Sequence, residues 1–177
     1  MTFSIQAGCP ATQACASASD MADVIGELYA PEVEAAVLVW NLVPIRLSYG
    51  YDVAVMVDDL VPLLEEVQDP GFSATDVFWG PDTFTAEWKL IREGDSLRIR
   101  SRWCSVLGGY ESLLSERGDV VVGATVFIDE WCKILRRIVA DIEAASMELE
   151  DDDILVRAKA LAEAGPRGGE EHAMRHQ

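Results

Sequence analysis

Residues 84–103 read FTAEWKLIREGDSLRIRSRW. Phe84, Ala86, Trp88 and Leu90 alternate with Thr85, Glu87 and Lys89. After Arg92-Glu93-Gly94-Asp95 the alternation resumes at Leu97, Ile99, Ser101 and Trp103, with Arg98, Arg100 and Arg102 between them. Period two on both sides of a glycine-containing turn predicts an antiparallel hairpin with one apolar and one charged face. The apolar face has to be covered. The natural cover is residues 127–147, whose apolar positions 127, 128, 131, 134, 135, 138, 139, 142 and 145 form a wide helical stripe.

Working outward, 34–41 (EAAVLVWN) contains an unbroken apolar run expected of a strand covered on both sides. Ile45 to Tyr49 alternates, so a second strand follows a kink or turn at Pro44, which belongs at an edge or a bend because it has no N–H to donate. Residues 51–57 are either extended or the start of a helix. Asp58 reads as an N-cap, with a helix over 59–68 that tolerates Pro62 in its first turn. Residues 72–82 read as a loop, 113–114 as a short helical turn and 120–126 as a strand containing Gly123. Towards the ends, Asp20 caps a short helix through Tyr29, and a further helix spans 154–164.

The fold expected is therefore α+β, a mainly antiparallel sheet packed against a long C-terminal helix and a shorter one. The organisation expected is an arm over 1–33, loosely held at its start and carrying the short helix, a core domain over 34–148, and an acidic helix with a flexible tail over 149–177.

Half of the 177 residues are hydrophobic, enough for a real core. The formal charge of −17 opposes binding to nucleic acid and to anionic membranes, and it favours basic partners. A purely solubilising surface would carry the same sign. The three hairpin arginines read as a charge ladder against Glu87 and its neighbours rather than a nucleic-acid patch. Cys104 and Cys132 are expected to be buried, reduced thiols, and no cysteine pair has zinc spacing. No apolar run approaches the ~18 residues of a membrane span, and no export signal is read, so a cytoplasmic protein is expected.

The sequence carries no catalytic signature. The two histidines, His172 and His176, lie in the tail, where nothing fixes a metal shell, and the core lacks a histidine base for serine or cysteine chemistry. Phosphate-loop motifs are absent. Adjacent acids such as Asp58-Asp59 and Glu65-Glu66 do not face one another on a helix and read as solvated faces. No cofactor and no metal site are expected, and an enzyme built on carboxylates is the minority reading.

The order of strand, strand, helix, tryptophan-bearing hairpin, strand and long helix includes Val39-Trp40-Asn41, Trp88 before a Gly-Asp turn, and Phe127-Ile128-Asp129-Glu130-Trp131 opening the last helix. Over residues 34–147 this layout, with the size and charge, resembles small acidic immunity proteins of bacterial polymorphic-toxin and contact-dependent inhibition systems. The resemblance implies a cytosolic inhibitor that binds a cognate toxin domain, often a basic nuclease, and blocks it. Trp79, Asp82, Glu87 and Tyr110 are the candidate contacts, as aromatics and acids beside the hairpin. Trp79, next to Phe78, has a second reading as a lid on the core. The competing class is an adaptor module that docks through residues 1–30 or 154–164.

Overall fold

The computed structural model describes residues 2–15, 17–146, 149 and 152–164. The tail with His172 and His176, much of the acidic run at 148–153 and the predicted helix end at Met147 lie outside them. The chain forms β1 (Phe3–Gln6), α1 (Met21–Leu28), β2 (Ala36–Trp40), β3 (Val43–Leu47), a π-helical turn (Tyr49–Val53), α2 (Ala54–Gln68), β4 (Ala74–Trp79), β5 (Phe84–Glu93), β6 (Ser96–Val106), α3 (Glu111–Arg117), β7 (Val120–Gly123), α4 (Ala124–Ala144) and α5 (Asp153–Ala164). Two antiparallel sheets result, ordered β1-β2-β3 and β4-β5-β6-β7. The class is α+β, and the hairpin and the long helix stand where their periodicities place them.

All five tryptophans are buried, and their rings join in one cluster. Trp88 on β5 is its hub. Its ring centroid lies 5.2 Å from Trp40, 5.5 Å from Trp79, 6.1 Å from Trp103 and 6.4 Å from Trp131. Phe3 and Phe84 close the ring edge-on at 6.4 and 6.0 Å. Edge-to-face geometry favours aromatic pairs beyond the area they bury. The indole N–H groups of Trp79, Trp88 and Trp131 are buried there without a hydrogen-bond acceptor.

The N-terminal residues are not a loose arm. Phe3 and Ile5 are buried, and β1 pairs along its length with β2. The link to α4 is polar. The Ile5 N–H donates to Glu130 Oε2 at 2.5 Å, and Lys133 Nζ reaches both that carboxylate (2.6 Å) and the Ile5 carbonyl (3.2 Å). A four-residue strand is too short to advertise itself by alternation, and this clamp joins residues far apart in sequence.

Other boundaries also move. α2 begins at Ala54, so Asp58 sits inside the helix rather than capping it, and Pro62 lies mid-helix. Residues 72–82 are not all loop, since β4 occupies Ala74–Trp79. β7 stops at Gly123, where α4 begins three residues before the predicted start. The turn between β2 and β3 falls at Asn41 and Leu42, both with positive φ (45° and 72°), ahead of Pro44. Asn41 stabilises it by donating its side-chain amide to the carbonyls of Arg117, Gly118 and Asp119 at 2.9, 3.2 and 3.0 Å. Cys104 is exposed, contrary to the expected burial, because it follows inward-facing Trp103 and strand alternation sends it to the outer face. Cys132 is buried, and burial pushes its thiol up to about 11. All four cysteines are free thiols.

Candidate functional site

The four predicted contact residues go to different places. Trp79 is fully buried, in phase with the core-facing side of β4, and is not available to a partner. Its burial corrects the anchor reading and leaves the core-lid reading. Phe78, one residue earlier, points the other way and is 55% exposed. Tyr110 is half-buried, and its hydroxyl donates to the Pro44 carbonyl at 2.9 Å, fixing it against β3. Asp82 and Glu87 are exposed and border Phe78. Glu87 is its register partner across β4 and β5, and the Asp82 N–H approaches the Tyr51 hydroxyl at 3.5 Å.

Tyr51 and Val55 are exposed as well, and they belong to the same surface. A Cβ placed on Gly80 would meet Phe78 Cε1 at 3.8 Å and Val55 Cγ1 at 4.0 Å, so these side chains close over the glycine from both sides. The result is an apolar patch of Tyr51, Val55 and Phe78. Its position follows from local rules. The π-helical turn rotates Tyr51 outward while burying Asp52, and strand alternation sends Phe78 out as Trp79 goes in. Asp52 holds this corner from beneath, accepting from the Ser48 N–H at 2.7 Å and from the Thr83 hydroxyl. Its burial raises the carboxyl's pKa, against the opposing effect of those two hydrogen bonds.

Beside Phe78 the outer face of β4, β5 and β6 carries an open groove of about 640 Å³, with Asp76, Glu87, Lys89, Arg100 and Arg102 around it. Its charges are matched. Arg102 grips both carboxylate oxygens of Glu87 and holds that carboxyl below the usual range. Lys89 reaches Asp76 at 3.4 Å, and Arg100 reaches Asp119 at 3.4 Å. Arg98 is bound by Glu93 at 2.8 Å. Four cations thus meet four carboxylates, and the chain's excess negative charge lies elsewhere.

Much of that excess lies on and beside α1 and α2. From residue 1 to Trp88 the sequence has fourteen carboxylates and the single cation Arg46. Asp58 on α2 shows the consequence. Its carboxyl is pushed up first by desolvation and then by Asp20 at the start of α1, Asp152 before α5, and neighbouring Asp59. Three helices therefore converge with like charges close together. Val55 lies about one helical turn from Asp58 and Asp59, so the apolar patch adjoins this field. Among the described residues, no group of three or more His, Cys, Asp or Glu side chains is placed to hold a metal ion. No helix among them is long and apolar enough to cross a membrane.

Of the residues around this patch, the sequence singled out Asp82 and Glu87 as contacts and Phe78 beside Trp79 as an anchor or lid, but not Tyr51 or Val55. The signal for Phe78 was present in ATDVFW: once these residues are read as a strand, Val77 and Trp79 share one face and Phe78 takes the other. Tyr51 and Val55 gave no such signal, because a π-helical turn has no distinctive pattern in sequence. No protein-family model, curated protein or solved structure matches the chain.

Proposed function

We propose that the protein is a cytosolic protein-binding inhibitor that captures a basic partner, a cognate toxin domain in the resemblance above, and neutralises it by steric and electrostatic blockade. The observation that carries this reading is the exposed patch of Tyr51, Val55 and Phe78 set beside a helical surface dense in carboxylates. The two parts have different tasks. Unpaired surface charge acts at a distance and raises the rate of encounter with a basic protein. Aromatic and aliphatic side chains act on contact, where full burial of each contributes about 1.5–3 kcal/mol and less for groups already half covered. The matched groove beside Phe78 gives the contact polar specificity without adding net charge.

The first experiment is a low-salt pull-down from the host with the adjacent upstream gene product identified, followed by stopped-flow association of the recovered pair. Asp82→Lys combined with Glu87→Lys slows association several-fold at low salt, and Phe78→Ser speeds dissociation. An unchanged association rate at low salt sinks the electrostatic part of the reading.

The second reading is an adaptor module. Residues 3–6, which it would have used for docking, are built into a sheet. On α5 it retains Val156, which is 65% exposed. Val156→Asp that releases the partner while Phe78→Ser does not would move the weight to that reading.

A further inference from the structure

The sheets have four edge strands, and three are sealed by side chains. On β1 the outward N–H and C=O of Ile5 are taken by Glu130 and Lys133. On β3 Pro44 has no N–H, and its carbonyl accepts from Tyr110. On β7 the Val121 carbonyl accepts from the Thr2 hydroxyl at 3.1 Å. β4 is different. The Arg92 N–H donates to the Ser73 carbonyl at 2.8 Å, which sets the phase of the ladder with β5. In that phase Thr75, Val77 and Trp79 bond to β5, and the N–H and C=O groups of Ala74, Asp76 and Phe78 point away from it. Among the described residues no hydrogen bond reaches those groups. The strand contains no proline, lysine or bulge, and its one charged residue, Asp76, is paired with Lys89 on β5.

We infer that β4 is the docking edge for an extended, basic segment of the partner protein, which adds as a fifth strand to the four-stranded sheet. This rests on the functional reading above and deepens it. Backbone pairing would supply affinity, and alternate side chains would supply selectivity. An incoming strand places side chains opposite Asp76 and Phe78, two residues apart on the same exposed face. A Lys or Arg suits the first position, where it would share the largely exposed Asp76 carboxylate with Lys89, and an apolar residue suits the second. A second copy of the chain suits the edge poorly. Each copy carries a formal charge of −17, and pairing centred on Asp76 sets two carboxylates face to face.

The test uses the whole protein, amide hydrogen exchange by NMR, and a synthetic heptapeptide alternating Arg and Val, with a Glu–Val heptapeptide as control. In the free protein the amides of Ala74, Asp76 and Phe78 exchange at least about tenfold faster than those of Thr75, Val77 and Trp79. Saturating Arg–Val peptide slows the first set by about tenfold or more, and the Glu–Val peptide does not. Asp76→Pro removes an N–H that the ladder with β5 does not use, so it leaves the melting transition in place and weakens peptide binding. Protection of the three amides in the free protein overturns the inference. So does peptide binding that leaves them unprotected, a failure of the peptide to bind, or a concentration-dependent dimer that Asp76→Pro dissolves. Binding lost in Phe78→Ser but kept in Asp76→Pro retains the apolar patch and removes strand addition. Equal binding of both peptides removes the charge-based functional reading itself.

Discussion

The two faces of the four-stranded sheet are built from the same strands, one residue out of step, and they obey different physics. The inner face carries Trp79, Trp88, Trp103, Leu90 and Ile99, all buried. The outer face carries Phe78, Glu87, Lys89, Arg100 and Arg102, all exposed. Inside, many weak contacts add because water is gone and the rings pack edge-on or tilted. Outside, strong charges are paired at short distance yet screened, so they contribute little to stability. The inner face therefore holds the fold, and the outer face contributes little to it.

The largest effect is expected at the hub of the inner face. Trp88→Ala empties the centre of the cluster and destabilises the protein by about 3–5 kcal/mol in urea unfolding. A loss below 1 kcal/mol would mean that the cluster does not depend on its centre. Next comes the polar link between β1 and α4. Glu130→Ala leaves the Ile5 N–H without its acceptor and costs about 1–3 kcal/mol by the same measurement.

Asp52 comes third and sharpens the comparison through pH. Its folded carboxyl is raised above the ordinary 3.8, so the native state binds the proton more tightly than the unfolded chain. This group's contribution to stability is largest below 3.8 and declines as pH rises through the folded value. Asp52→Asn should remove that decline, which thermal melts across the acid range will show as a flatter dependence than in the wild type. The smallest effect belongs to the outer face. Glu87→Gln breaks half of the grip by Arg102 and should move the melting temperature less than any of the other changes, with the shift vanishing in high salt. A large shift would erase the distinction between the two faces.

The comparison also marks what was readable from sequence. The hairpin and α4 were legible because their apolar periods run over twenty residues. Their long patterns leave few alternative registers. β1 and β4 were not legible: each is short, and its status depends on residues far away in the chain. Phe3 and Ile5 become a strand because β2 and the Glu130–Lys133 pair receive them. The valines at 53, 55 and 57 left extended chain and helix start both open because alternation and a helix preceded by a π-helical turn agree over so few positions. For the candidate site, composition gave the sign of the charge, and the hairpin pointed to the exposed acids Asp82 and Glu87 beside it. The apolar part escaped because Trp79 is the larger residue of the Phe78–Trp79 pair, and strand parity, not size, decides which of the two meets solvent.

The clamp of Glu130 on Ile5 has a consequence for how the chain comes off the ribosome. The two residues are 125 positions apart. At ordinary elongation rates of about 5–20 residues per second, β1 waits roughly 6–25 s for the helix that closes its edge. Throughout that interval Phe3 and Ile5 lack part of their final cover, and another nascent chain on the same message can offer the missing helix instead. Exchange of this first strand between neighbouring copies is the assembly error to which the architecture is most open.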